Sequence, residues 1–228
     1  MATSNTTIII LGVILLVLVY YLYYYFTTPT ALIKSVYLNT SNPPISVTSM
    51  SSPLSANYSY SVWVYVNTWN NTNEKLLFSR GPDTSPTGIS NSDFILYLDV
   101  TEPTLWAQFS SSNPKQINPP IQITTDFEIQ KWVQLIVSVG GQFVDFYLDG
   151  KLVSSVKLNN VPVITSTPIN FGTNSDIYLN HLLFTPSQTD PQSAWNSYLA
   201  GNGMSTNSYH GNFTLLQNNT VQSVISLF

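Results

Sequence analysis

The stretch from residue 132 to residue 157 constrains the fold more than any other part of the chain. It reads WVQLIVSVGGQFVDFYLDGKLVSSVK, three apolar runs divided by Gly140-Gly141 and by Asp149-Gly150. An Asp-Gly pair between two strands calls for a type I′ turn, because both central residues need φ > 0. Gly-Gly serves the first break in the same way. Strands joined by such tight turns must run antiparallel, so this segment places an antiparallel sheet at the heart of the fold. Gly140, Gly141, Asp149 and Gly150 are accordingly assigned structural roles in the turns.

The same period of two recurs upstream. Residues 58–66 read YSYSVWVYV, with Tyr58, Tyr60, Val62, Val64 and Val66 on one face and Ser59, Ser61, Trp63 and Tyr65 on the other. Further strands are predicted over 75–79, 94–100, 105–109 and 178–184, separated by Pro-, Ser-, Asn- and Gly-rich loops such as 81–93 and 110–120. One short helix is predicted over 191–200. Asp190 suits its N-cap, Pro191 its first position and Gly201 the position after its end. That helix is expected to bury Ala194, Trp195, Tyr198 and Leu199. Many short antiparallel strands in one domain imply a mainly β fold, a sandwich, jelly roll or barrel, with one short helix.

The first thirty residues follow a different rule. Residues 8–26 read IIILGVILLVLVYYLYYYF, nineteen residues without a charge. At 1.5 Å per residue they rise ~28 Å, about the thickness of a bilayer's hydrocarbon core. A single transmembrane helix is therefore expected ahead of the sandwich, with Ile8, Leu11, Leu15, Leu18, Tyr21, Tyr24 and Phe26 as anchor residues and the lipid bilayer as a partner. Its second half is rich in Tyr, which favours the interface between lipid and water. A cleaved signal peptide fits less well, because residues 1–7 carry no Lys or Arg and the apolar run is too long. Lys34 is the nearest basic residue after the run, which leans toward a cytosolic C-terminal domain. The expected organisation is a flank over 1–7, the membrane helix over 8–26, a linker over 27–33, the sandwich over 34–201 and a tail over 202–228. The tail ends on an apolar stretch, expected to join the sandwich as an added strand or to meet a neighbouring protein.

Charge then removes whole classes of function. Charged residues make up 8% of the chain, against roughly 25% in an ordinary soluble domain. With 7 basic and 11 acidic residues, and Arg80 as the lone Arg, nucleic acid is excluded as a partner that binds by phosphate neutralisation. The absence of Cys excludes disulfides, thiolate metal sites and cysteine nucleophiles. His181 and His210 are the only histidines, and neither stands in a visible triad pattern.

Trp132–Val137, a Gly turn and then the run from Phe143 through Tyr147-Leu148-Asp149-Gly150 to Val153 resemble the concanavalin A-like lectin/glucanase (laminin-G-like) superfamily. Tyr60–Val66, Leu76–Gly81, Ile169–Gly172 and Leu182–Pro186 are similar to other strands of that family, so the resemblance covers about residues 31–201. It implies a two-sheet jelly roll. The glucanases of this family carry a Glu-x-Asp-x-x-Glu strand, whereas Glu102 and Glu128 lack that spacing and the nearest carboxylate pair on a strand is Asp145 and Asp149. No catalytic residues are assigned, and the chain is expected not to be an enzyme. Some members bind calcium through loop acids. Here Asp83, Asp93, Asp126 and Asp176 are the loop candidates, without a ligand motif, so neither metal nor cofactor is expected. Glycan binding would fall to Trp69 and Trp106 as stacking platforms, an alternative ranked second. Trp63, Trp132 and Trp195 are expected in the core.

An uncharged surface is poorly protected against association. An uncharged jelly roll on an N-terminal anchor resembles the virion membrane and minor capsid proteins of large DNA viruses with an internal membrane. The function expected from that resemblance is structural. The anchor would sit in the virion's internal membrane and the sandwich would meet other capsid proteins, or copies of itself. A membrane-tethered lectin and an atypical glycanase are the alternatives.

Overall fold

The computed structural model describes the backbone of residues 2–27, 31–83, 89, 92–113, 115–203, 212–217 and 220–226, with side chains from residue 10 to 22 in the first helix and none beyond residue 203. Helix α1 (Ala2–Thr27) comes first. Eleven strands follow: β1 (Ile33–Tyr37), β2 (Asn57–Val66), β3 (Lys75–Arg80), β4 (Phe94–Leu98), β5 (Leu105–Phe109), β6 (Ile121–Thr124), β7 (Trp132–Gly140), β8 (Phe143–Leu148), β9 (Lys151–Lys157), β10 (Ile169–Phe171) and β11 (Ile177–Thr185). Helix α2 (Pro191–Leu199) and the strands β12 (Asn212–Gln217) and β13 (Thr220–Ser226) complete the chain.

Two antiparallel sheets form the sandwich, a six-stranded one in the order β1-β11-β2-β7-β8-β9 and a five-stranded one in the order β10-β3-β4-β5-β6. Each strand's alternate residues meet between the sheets. From β2 these are Tyr58, Tyr60, Val62, Val64 and Val66, all buried, as the alternation predicts. They pack with Leu77, Phe78, Phe94, Leu96, Phe109, Val137, Phe146, Leu179 and Phe184 in one continuous core. Inside that core lies the chain's lone Arg. Arg80 donates to the carbonyls of Pro53 (2.6 Å) and Thr165 (2.8 Å) and to the Tyr60 hydroxyl (3.2 Å), and it pairs with Asp93 at 3.5 Å. Burial pushes the Tyr60 hydroxyl up to about 12, with the neighbouring Arg80 pulling the other way.

The Asp-Gly turn is as predicted. Asp149 (φ 48°) and Gly150 (φ 73°) both take positive φ between β8 and β9. The first turn needs correcting. Gly140 ends β7 and the loop is Gly141-Gln142, with positive φ at Gly141 only (61°), the type II′ pattern. Gly140 is small for another reason, since a Cβ there would fall on the Gln188 side chain.

Helix α2 crosses the outer face of the six-stranded sheet. Asp190 caps it by accepting from the backbone of Gln192 (2.9 Å) and Ser193 (3.0 Å). Ala194 is buried against Ile136 and Tyr147. The expected burial of Trp195 and Leu199 is not seen, for they are 39% and 64% exposed. The helix rests on its smallest side chain, so the larger ones flank the contact. In the tail, β12 and β13 pair with each other in a separate two-stranded sheet.

In α1, Leu11, Leu15, Leu18 and Tyr21 are exposed, as is every residue from 10 to 22. The side chains of Ile8, Tyr24 and Phe26 lie outside the described residues. Among the described residues, no helix is long and apolar enough to cross a membrane.

Candidate functional site

Four aromatic residues sit where the core does not need them. Tyr37 lies between the core residues Val36 and Leu38, Tyr178 between Ile177 and Leu179, and Tyr65 between Val64 and Val66, while Trp132 precedes Val133. Since successive side chains alternate across a strand, each of the four must face out. Strand register then brings them into line. Tyr37 pairs with Tyr178, Tyr178 with Tyr65 and Tyr65 with Trp132, across β1, β11, β2 and β7. Tyr37 and Tyr178 stack with centroids 4.4 Å apart and planes 15° apart. Tyr178 meets Tyr65 edge-on at 6.3 Å, and Tyr65 meets Trp132 at 5.4 Å. All four are half-buried. One step along the sheet the aromatic surface continues, as Trp63 stacks on Tyr198 of α2 at 5.7 Å and Tyr198 meets Trp195 at 5.5 Å.

Polar groups edge the row. At one end the Tyr37 hydroxyl donates to Asp176 Oδ1 (3.1 Å), while Asn67 Nδ2 (2.8 Å) and Thr68 Oγ1 (2.7 Å) donate to Oδ2. The bond from Thr68, joined by those from Asn67 and Tyr37, holds the Asp176 carboxyl below its ordinary range, with burial pulling the other way. Asn39 Nδ2 lies 3.4 Å from the Tyr37 oxygen. At the other end Lys131 bridges Glu128 and Asp149, the latter at 3.3 Å, and Asp149 Oδ1 accepts from the Gln134 backbone at 2.9 Å. The row sets partly exposed rings beside amides, a hydroxyl and a carboxylate, an amphipathic surface of the kind binding sites use.

The residues proposed from sequence lie elsewhere. Trp69 packs against the core with the Lys75 ammonium 4.0 Å over its ring, and Lys75 itself is buried under the carbonyls of Asn73, Asp99 and Val100. Trp106 packs with Leu76, Ile95 and Tyr97. Of the tryptophans expected in the core, Trp63 is buried, Trp132 half-buried in the row and Trp195 exposed. The loop acids have separate partners: Asp93 binds Arg80 and Thr165, Asp83 accepts from the Ser92 backbone, and Asp126 is exposed. Asp145 accepts from Ser155 at 2.5 Å, while Asp149 serves the turn. His181 sits in the bulge of β11 with positive φ (52°), its pKa lowered by burial, and His210 lies outside the described residues. Among the described residues no group of three or more His, Asp or Glu is placed to hold a metal ion.

The fold defines the class, a two-sheet antiparallel β-sandwich with an aromatic outer face. The chain belongs to the concanavalin A-like lectin/glucanases superfamily, whose laminin-G family model matches residues 39–180. Among solved structures, the botulinum neurotoxin serotype D binding domain is similar with a TM-score of 0.55 at 16% identity, over 73% of this chain and 42% of that one. A receptor binding domain of botulinum neurotoxin D matches with 0.55 at 15%, over 75% and 45%. Trypanosoma rangeli sialidase in complex with sialic acid gives 0.49 at 13%, over 66% and 24%. The chain spans less than half the length of each of these. At such identities the likeness is one of fold. No curated protein matches the chain in sequence.

Proposed function

We propose that the protein is a membrane-tethered, non-catalytic recognition domain that binds saccharide on the outer face of its six-stranded sheet. The observation that carries this reading is the register-aligned row Tyr37-Tyr178-Tyr65-Trp132. Half-exposed aromatics are costly to leave in water and unnecessary to the core behind them, and rings with hydrogen-bonding neighbours suit sugars. Membership of a superfamily that includes lectins supports it. The non-catalytic part rests on the carboxylates, since Asp145 and Asp149 are both committed to structural partners. Tethering rests on the uncharged run over residues 8–26 and on the exposure of every residue from 10 to 22, a surface that needs lipid or protein around it. Because β1 runs from Ile33 to Tyr37, the row lies at the end of β1 farther along the chain from α1.

Binding of the full chain in detergent micelles to an oligosaccharide array tests the reading. Binding that Tyr65→Ala and Trp132→Ala abolish supports it, and an array without any bound sugar overturns it. Alkaline carbonate extraction tests the tether, with the protein expected in the pellet. A second reading, a structural link between a virion's internal membrane and its capsid, is favoured by the surface itself, with 8% charged residues. It predicts co-purification with a shell and no sugar affinity.

A further inference from the structure

The charge of this protein is unevenly placed. The row end of the sandwich gathers the loops β2–β3, β4–β5, β6–β7 and β10–β11 and the β8–β9 turn. Those loops carry Glu74, Asp99, Glu102, Asp126 and Glu128, together with Asp149 and Asp176, seven of the chain's eleven acids. Three lysines share that end. Lys75 is buried under carbonyls, Lys131 is bound between Glu128 and Asp149, and Lys151 starts β9. With seven acids against three lysines the end carries −4, the whole net charge of the chain. The four other basic and four other acidic residues cancel.

A carboxylate stands at each end of the aromatic row: Asp176 against the Tyr37 hydroxyl at 3.1 Å, and Glu128 beside Lys131, the residue before Trp132. The group best suited to bind a carboxylate, sulfate or phosphate on a ligand is a guanidinium. The chain's lone guanidinium, Arg80, is 1% exposed and held between the sheets by the Pro53 and Thr165 carbonyls and by Asp93. Among the described residues the cation next to Trp132, Lys131, is already paired with Glu128 and Asp149, so an anionic sugar on this row would meet carboxylates within about a Debye length.

We infer that the site is selective for uncharged saccharides and rejects sialylated or sulfated ones. This rests on the saccharide reading above and narrows it. The aromatic rings supply the attraction and the acidic loops set the class.

Calorimetric titration of the full chain in uncharged detergent micelles tests it, with β-1,4-linked tetramers of glucose and of N-acetylglucosamine as neutral probes and sialyllactose as the anionic one. At least one neutral tetramer should bind, with sialyllactose at least tenfold weaker at low ionic strength and the gap narrowing as salt is added. Glu128→Gln removes one acid at the edge of the row and loosens its hold on Lys131. It should narrow the gap between anionic and neutral probes. Sialyllactose bound as tightly as the tetramers, or a gap unmoved by both salt and Glu128→Gln, overturns the charge selectivity while the saccharide reading stands. Binding of neither neutral nor anionic probes overturns both. If polylysine binds in a Trp132-dependent way and no tetramer does, the site is one for basic protein and the saccharide class is wrong.

Discussion

The molecule holds two aromatic clusters that composition cannot tell apart. In one, Tyr60 touches Phe78 (5.6 Å), Phe94 (5.8 Å) and Phe184 (5.2 Å), and Phe94 touches Phe109 (4.9 Å), all shut between the sheets. In the other, Tyr37, Tyr178, Tyr65 and Trp132 line up on the outside, half in water. Ring distances in the two are alike. Their polar partners differ. The inner tyrosine meets a guanidinium that cannot reach solvent, while the outer one meets a carboxylate that can. Packing that excludes water on all sides turns rings into stability. The outer rings stay partly in water, and that open side is what the proposed recognition uses.

The strongest way to break this comparison is through the inner cluster's polar centre. Arg80→Ala leaves Asp93 buried without its counter-charge and strips a donor from Tyr60 and from the Pro53 and Thr165 carbonyls. Breaking a buried pair from one side costs about 3–5 kcal/mol. For a chain of this size that lowers the melting temperature by roughly 10 °C, read in a thermal melt of the full chain in detergent. A melt that moves by less than a degree or two would mean that Arg80 is not locked in the core.

Gly150→Val comes next and probes the border between the regions. At φ 73° a β-branched side chain is strained, and a Cβ would stand 3.0 Å from Trp195 Cε3 and 3.0 Å from Tyr198 Cβ. The expected loss is about 1–3 kcal/mol. Because the clash falls on α2, the Trp195 fluorescence should shift as well. Asp149→Asn keeps the turn type but weakens the Lys131 bridge, and should be nearly silent in the melt.

These elements also show what a sequence discloses. β7, β8 and β9 were legible because period two and turn residues are both local, and the cap of α2 was legible for the same reason. β1 was not predicted as a strand. Its five residues IKSVY alternate weakly, and it is held by β11, some 145 residues later. β6, four residues long, was missed likewise. The row is barely legible, because Tyr65 falls on the other face of β2 from Tyr58 and Val66 whereas Trp132, like Trp63, reads as a core residue. Its line across four strands depends on register between segments far apart in sequence, which no local pattern encodes. Trp69 and Trp106 are half-buried like the rings of the row but stand apart from it, Trp69 under the Lys75 ammonium and Trp106 beside Leu76, Ile95 and Tyr97. Gly140 looked like a turn glycine because nothing in the chain announces that Gln188 crosses it.

Trp132→Ala sharpens the comparison from the outer side. The ring is half-exposed and pairs with Tyr65, so its loss should cost about 1 kcal/mol of stability. Saccharide affinity should fall at least about tenfold, equivalent to ~1.4 kcal/mol. A variant that loses much stability and no affinity would reverse the roles assigned to the two clusters.

The smallest effect concerns the carboxylate that steadies the row. Bonds from Thr68, Asn67 and Tyr37 favour the charged form of Asp176, so its folded-state pKa lies below that of the unfolded chain. Such a group stabilises the fold fully above the unfolded pKa, and the contribution disappears as pH falls through the folded value. Asp190, depressed chiefly by its Ser193 bonds, contributes with the same sign at the helix cap. Both are close to solvent, so the change is modest and weakened by salt. Melting temperatures taken from about pH 6 down to about pH 3 should fall, and in Asp176→Asn the fall should be shallower but not absent, because Asp190 still titrates. Saccharide binding discriminates further. Protonating Asp176 loosens Tyr37 at the edge strand and leaves Tyr65 and Trp132 in place, so affinity should weaken partially in acid. An acid profile identical in the wild type and Asp176→Asn would detach this carboxylate from the row and leave Tyr37 positioned by its stacking on Tyr178 alone.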